Sequence, residues 1–297
     1  MFDPAQLAAL AAVHREGSFE RAAAVLAVTP SAVSQRIKAL EEAVGTLLVQ
    51  RGQPARASAA GLQLVRHHER MVLMEQALRR ELHLPGQAPA RLRLAVNADS
   101  LATWLIPALA EVEGWLFDLV IEDQEVSLEL LRRGEVLGAI AEQPAPEQGC
   151  DALALGRLRY LATASPAFIR RWFSEGPGPE AFARAPVLSF SRHDSLQARW
   201  LAGLSGPGGP WQMGPAHQIG SSQGFVDACL AGMGWALNPL PLVAAPLAEG
   251  RLVPLVPDRP LDVALYWHVT RLAAPALAPL TGALRRVAAG ALLPLPA

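Results

Sequence analysis

The chain has 297 residues, enough for two or three domains with buried cores. Its formal net charge of −1 excludes a bulk polycation, so any affinity for nucleic acid must come from local placement of basic groups and from dimerisation. The two cysteines, Cys150 and Cys229, stand in unrelated contexts without ligand spacing, and the start MFDPAQ has no basic and apolar leader; the expectation is a cytoplasmic, reduced protein with no metal and no cofactor.

Asp3 or Pro4 opens a first predicted helix, which carries Leu7, Leu10, Ala11 and Val13 to about Glu16. Ser18 caps a second, shorter helix in which Ala22, Ala23, Val25 and Leu26 can pack. A turn at Ala27 to Thr29 leads to a third. There Thr29 is a good N-cap, and Pro30 fits the first helical position, where no N–H partner is needed. Val33, Ile37, Leu40 and Val44 follow at i, i+4, i+7 and i+11, one stripe of a helix. Ser31, Gln35, Lys38 and Glu42 fall on the opposite side, with Ser34 at its edge. Hydroxyl, amide and ammonium groups are what base edges and phosphates accept. Helix, tight turn and second helix with a polar outer face match a helix-turn-helix, although the same pattern fits any helical hairpin with a solvated face. Lys38, the only lysine of the chain, could equally pair with Glu42 one turn on.

After Gly45, Leu47, Leu48 and Val49 suggest a strand, Pro54 a turn, and Arg56 to Ser58 a return strand. Together they would form a wing. Arg51 and Arg56 are placed either to touch phosphates or simply to be solvated. Ala59 to about His83 reads as one long helix. Leu64, Met71 and Leu78 are seven apart, as are Val65 and Val72, which suggests a short coiled-coil seam. Residues 1–83 carry ten bases against eight acids, a weak surplus. Pro85-Gly86-Gln87-Ala88-Pro89 ends the helix as a hinge.

From Arg91 short strands alternate with helices. Leu92 to Val96 is a strand; Asn97-Ala98-Asp99-Ser100 turns, and Ser100 caps a helix to about Val112. Strands follow at Leu119–Ile121, Val136–Ala141, Leu153–Leu155 and Leu158–Ala164, with a helix from Ser127 to Gly134. This order predicts an α/β unit with a mostly parallel sheet. At Ala164-Ser165-Pro166 the chain crosses into a second unit. Its elements are a helix at Phe168–Phe173, a strand at Pro186–Phe190, a helix at Leu196–Leu204, a surface loop at Pro207–Pro210, a strand at His217–Ile219, a helix at Ser222–Met233 and a strand at Trp235–Leu237. Ala228 to Ala248 is uncharged, but its glycines and prolines break it into helix, strand and loop, so no membrane span is expected. Leu265–Val269 returns to the first unit, and a last helix spans Ala276–Ala289.

The run GSFERAAAVLAVTPSAVSQRIKALEEAVGTLLVQR, Gly17 to Arg51, resembles the winged helix-turn-helix of LysR-type transcriptional regulators. The segment AGMGWALNPLPLVAAPLAEGRLVPL, Ala231 to Leu255, is similar to the two-lobed effector domain of the same family. Closer still, LRLAVNADSLATWLIPAL (Leu92–Leu109), VIEDQE (Val120–Glu125), LRRGEVLGAI (Leu131–Ile140) and LYWH (Leu265–His268) resemble the lysine- and arginine-responsive ArgP/LysG branch. The resemblance implies a winged helix-turn-helix at residues 1–58, a dimerising linker helix and hinge at 59–90, and a periplasmic-binding-protein-like effector domain at 91–297. Within the last, lobe I would hold 91–164 and 265–297, and lobe II 165–264. Double-stranded operator DNA would be read by Ser31, Ser34, Gln35, Arg36 and Lys38, in a homodimer or homotetramer controlling an amino-acid exporter or a biosynthetic gene.

A basic amino acid presents a carboxylate and two cations. Hydroxyls and free N–H groups at helix starts suit the carboxylate, and Ser100, Thr103, Ser221 and Ser222 offer them. Carboxylates suit the cations, and Asp99, Glu122, Asp123 and Asp194 lie at strand ends or in the loops after them, where α/β clefts bind ligands. Capping and solvated loop charge are the plain alternatives for these residues. Members of the branch often carry Asp or Asn where this chain has Ser191, which bears on lysine against arginine. A rival reading is a serine hydrolase. Gly220-Ser221-Ser222-Gln223-Gly224 satisfies G-x-S-x-G, and Asp262 and His268 follow in hydrolase order, but the preceding strand is short and no HGGG-type loop precedes it. A third reading, an amino-acid-binding module without DNA activity, is disfavoured by Ser18–Gly45.

Overall fold

The computed structural model describes residues 2–50, 52–84, 89–122, 124–204 and 211–296. The chain forms two compact units. One runs to Arg91 and includes Gly114–Leu116; the other takes Leu92–Glu113 and everything from Phe117.

In the first unit α1 (Pro4–Glu16) starts at Asp3, whose side chain accepts from the Ala5 N–H at 2.8 Å. α2 (Phe19–Val25) is capped by Ser18, and α3 (Pro30–Val44) by Thr29, whose hydroxyl accepts from the Ala32 N–H at 3.2 Å. Each cap satisfies an N–H that has no partner inside the helix, worth about 1 kcal/mol. Val33, Ile37 and Leu40 of α3 are buried against Leu7, Leu10 and Val13 of α1 and Ala22 and Ala23 of α2. Val25 is 56% exposed, outside the packing expected for it. β1 (Val49–Gln50) pairs antiparallel with β2 (Arg56–Ala57), a wing shorter than expected, with Leu48 buried and Leu47 72% exposed.

α4 (Ala59–Glu81) crosses this wing at Gly61, where a Cβ would lie 2.1 Å from the Leu48 carbonyl oxygen; only glycine allows that approach. The seven-residue spacing of α4 divides between two tasks. Val65 is buried in the core of this unit, with Leu64 and Met71 packed on it, whereas Leu78 is 54% exposed. Met74, Leu78 and Leu82 are all exposed, four residues apart. Of the hinge expected at 85–89, residues 85–88 lie outside the described residues.

β3 (Ala90–Val96) leads into the second unit. α5 (Ala98–Ser100), a π-helical turn (Leu101–Leu105) and α6 (Ile106–Ala110) then follow end to end. Next come β4 (Trp115–Ile121), α7 (Gln124–Arg132), β5 (Gly138–Ala141) and β6 (Cys150–Ala164). The helices α8 (Pro166–Trp172) and α9 (Pro179–Arg184) lead to β7 (Val187–Ser189), α10 (Leu196–Leu204) and β8 (Ala216–Gln218). α11 (Ser222–Leu230), β9 (Ala236–Pro239), α12 (Leu240–Ala248) and β10 (Val253–Pro254) follow, and β11 (Leu261–Thr270) and α13 (Ala278–Ala291) close the chain. The loop expected at 207–210 lies outside the described residues.

The main sheet has the order β10-β6-β11-β5-β3-β4, with β9 also on β6, and β7 and β8 form a separate pair. A mostly parallel sheet was the expectation, and it is corrected here. β3–β5 and β7–β8 are parallel, but β6 and β11 run antiparallel to each other and to β5, β9 and β10. The reason is topological: β6 leaves the first lobe, β11 returns to it, and the two pair along their length. Lobe I is built on β3, β4 and β5. Lobe II is built on β7–β10 around an aromatic core in which Phe182 meets Phe173, Trp200 and Trp235 at 4.9–5.8 Å between ring centroids.

Candidate DNA-reading surface and effector cleft

On α3 the side chains of Ser31, Ser34, Gln35 and Lys38 are exposed and Arg36 is half-buried. The Lys38 ammonium stands 3.8 Å from Glu42, but both side chains are about two-thirds or more exposed, at 74% and 67%. Such a pair is worth only a few tenths of a kcal/mol and leaves the ammonium available. Ser31 and Ser34 also line a groove of about 660 Å³ with Ser18, Glu20, Gln53 and Pro54, between the starts of α2 and α3 and the tip of the wing. Arg56 is exposed, and its guanidinium donates to the His14 carbonyl at 3.2 Å. Arg51 lies outside the described residues.

Asp99 is the centre of the second site. It sits in the first turn of the helix that leaves β3, and it is partly buried. Its Oδ1 accepts from the Ser222 hydroxyl at 2.6 Å, across from α11 of lobe II. Its Oδ2 accepts from the Tyr160 hydroxyl at 2.7 Å, on the crossing strand β6. Both donors are neutral, and among the described residues no cation pairs with the carboxylate. Burial raises its pKa above the ordinary carboxylate value; the Ser222 and Tyr160 hydrogen bonds oppose that rise, and the nearby charge of Asp194 adds to it. The Tyr160 phenol is pushed well above its ordinary value, first by burial and then by Asp99, so it stays protonated and donating.

Other expected residues are placed differently. Asn97, not Ser100, caps the helix, its side chain accepting from the Ser100 N–H at 2.7 Å. Ser100 lies inside the helix, fully buried, with its hydroxyl unpartnered among the described residues. The Thr103 hydroxyl donates to the Asp99 carbonyl at 2.6 Å, a back-bond within its own helix. Asp194 shapes the loop before α10, accepting from the Phe190 N–H at 2.8 Å and the Leu196 N–H at 3.1 Å. Ser221 caps α11, accepting from the Gly224 N–H at 3.1 Å. Glu122 is exposed just after β4, and Asp123 lies outside the described residues. Two further charges were not foreseen: Glu142, after β5, and Arg199, on α10, meet across the lobes at 2.6 Å.

The residues of the hydrolase reading have separate partners. Ser222 donates to Asp99, Asp262 holds the guanidinium groups of Arg159 (2.7 Å) and Arg157 (3.1 Å), and the Nε2 of buried His268 is 2.8 Å from the Gln143 carbonyl. A nucleophile needs its base within hydrogen-bonding reach, and here the serine is spent on a carboxylate instead.

A winged helix-turn-helix head and a two-lobed fold with polar contacts between its lobes define a DNA-binding regulator of the ligand-responsive kind. Residues 4–62 match the bacterial regulatory helix-turn-helix protein, lysR family, and residues 85–289 match the LysR substrate binding domain; the chain belongs to the LysR family. The HTH-type transcriptional regulator ArgP of Pseudomonas fluorescens is 43% identical over 300 residues, 99% of this chain and 100% of that protein. The lysine export transcriptional regulatory protein LysG of Corynebacterium glutamicum is 41% identical over 286 residues, 95% and 96% of the two chains. Among solved structures, ArgP from Mycobacterium tuberculosis matches with a TM-score of 0.80 at 41% identity, over 99% of this chain and 100% of that one. Full-length LysG from Corynebacterium glutamicum with bound effector Arg matches with a TM-score of 0.67 at 39% identity, over 98% and 100%.

Proposed function

We propose that this LysR-family regulator answers to a basic amino acid, lysine or arginine, held between the two lobes of residues 91–297. Asp99 receives the α-ammonium group. The hydroxyls of Ser100, Ser222, Ser221 and Thr103 serve the carboxylate end, and Asp194, Glu122 and Asp123 supply negative potential. The head, residues 1–58, reads operator DNA with Ser31, Ser34, Gln35, Arg36 and Lys38, while Arg51 and Arg56 touch phosphates. The linker, residues 59–90, pairs two subunits along the exposed Met74, Leu78 and Leu82 of α4, and two such pairs form a tetramer. The protein acts in the cytoplasm, has no enzymatic activity, and controls an amino-acid exporter or a biosynthetic gene. No described helix is long and apolar enough to cross a membrane.

One observation carries the amino-acid part of this assignment, and the basic side chain comes from the likeness to LysG with bound effector Arg. Asp99 is a partly buried carboxylate between lobes, held among the described residues by the neutral hydroxyls of Tyr160 and Ser222, and the ammonium group of an amino acid would complete it. A ligand that binds the two lobes differently when apart and together shifts their equilibrium, and that is how binding would reach the DNA-binding head. Calorimetric titration of the full chain should detect arginine or lysine at micromolar to low millimolar affinity and no glutamate. Binding of glutamate, or silence with both basic amino acids, refutes the effector assignment. Electrophoretic mobility shift on promoter DNA tests the head separately.

A further inference from the structure

The cleft contains a second charged device besides Asp99. Glu142 follows β5 and belongs to lobe I; Arg199 lies on α10 of lobe II; their Oε2 and Nη1 atoms are 2.6 Å apart. The side chains are 27% and 42% exposed, so a ligand can reach both. Tyr160 ties the pair to the Asp99 site: its hydroxyl donates to Asp99, and its titration responds to the charges of Glu142 and Arg199. Beside the backbone-bound Asp194, these two places offer two carboxylates, Asp99 and Glu142, and one guanidinium, Arg199. A basic amino acid carries the complement, two cations and one carboxylate. Among the described residues Asp99 is partnered by neutral hydroxyls, and Glu142 is partnered by the arginine side chain of Arg199.

We propose that Glu142 is the receptor for the effector's distal cation, and that Arg199 is a tethered competitor which the effector displaces. This rests on the reading of the effector as a basic amino acid. The seated guanidinium of Arg199 already demonstrates that the position accepts one at hydrogen-bonding distance. A half-exposed ion pair is weak enough to be exchanged, and the released guanidinium can be hydrated where it stands. Asp99, facing an α-ammonium that every amino acid has, cannot tell a basic side chain from a neutral one. Glu142 can, because a neutral isostere has no charge with which to displace Arg199 and leaves the ion pair closed.

The test compares arginine with citrulline, its neutral isostere, by calorimetric titration of the full-length chain and of Glu142→Gln, Glu142→Asp and Arg199→Gln, with thermal unfolding to check that each is folded. The wild-type chain should prefer arginine at least tenfold. Glu142→Gln should lose that preference while still binding both ligands, and Glu142→Asp, which keeps the charge, should retain most of it. Arg199→Gln should bind arginine two- to fivefold more tightly and citrulline unchanged. A Glu142→Gln protein that keeps the wild-type preference overturns the proposal, as does an Arg199→Gln protein that binds arginine more weakly. If the wild-type chain binds neither arginine nor lysine, the effector assignment itself falls, an outcome distinct from either of these.

Discussion

Asp99 concentrates the physics of the proposed effector site in one side chain. Burial lifts its pKa, so without ligand the folded chain favours the protonated acid more than the unfolded chain does. Its contribution to stability is then full below the ordinary carboxylate range and is lost as pH rises through its folded value. A bound cation reverses the sign, because it needs the ionised form. Effector affinity should accordingly rise with pH through the elevated Asp99 value and level off above it. Tyr160 stays protonated throughout; Asp194 and Glu142 are the other carboxylates that bear on the site. Asp99→Asn should flatten the pH profile and weaken arginine binding at least tenfold, the scale of a lost hydrogen bond to a charged group. Calorimetry across the acid-to-neutral range measures both, and unchanged binding in the variant would remove Asp99 from the site. At this scale the sequence was informative where chemistry is local. Asp99 stands in a distinctive run, and Ser222 at a helix start. It was silent on Glu142 and Arg199, which are far apart in the chain and meet only through the tertiary fold. It also misread Ser100, because Asn97, three residues earlier, is an equally good cap and takes that role.

Elements follow the same division. α3 was legible nearly residue by residue, since its Thr29-Pro30 start, its Gly45 end and its apolar stripe are all local signals that agree. α12 was not, because Pro241 and Pro246 argue for loop. Pro241 occupies the tolerated first turn, and Pro246 is buried near the end, where only one backbone bond is forfeited. The spacing along α4 pointed to a single seam, but Val65 is taken by the core of the head, so heptad spacing alone could not separate an internal contact from an intermolecular one. The exposed face of α3 sets a prediction of its own kind. Gln35 presents an amide, which can bond an adenine edge through two groups, and Lys38 a point charge suited to phosphate. Gln35→Ala should therefore relax preference at one base position by about 1–3 kcal/mol. Lys38→Ala should weaken all sequences alike and lower the salt slope of binding by about 1. Binding measured on specific and scrambled duplexes at several salt concentrations distinguishes them; the same loss from both variants on every duplex would contradict these roles.

The second unit as a whole is two lobes sharing two strands, and a pivot between the lobes would fall where those strands change register. β6 and β11 shift register between Leu265 and Tyr266, opposite Gly156, which has φ +144°. The C-terminal segment closes on the same spot. Leu293 exchanges backbone hydrogen bonds with Arg157 at 2.8 and 2.9 Å, and the Arg157 side chain donates to the Pro294 carbonyl at 2.9 Å. A Cβ at position 156 would lie 2.8 Å from both the Leu292 Cβ and the Leu293 oxygen. Gly156→Ala thus combines a disfavoured backbone angle with a clash against the segment that braces the pivot, whereas Gly176, at φ +93° with open space around it, isolates the backbone part. Gly156→Ala should cost about 1–3 kcal/mol, more than Gly176→Ala, and should alter arginine affinity, which Gly176→Ala should not. Equal losses of stability from the two, read by denaturant unfolding of the full chain, would mean that the C-terminal segment does not brace the pivot. Unequal losses with unchanged arginine affinity would mean that the pivot is not coupled to the cleft. If the lobes meet the effector from opposite sides and closure is how it is held, a change in how freely the shared strands bend must appear in binding.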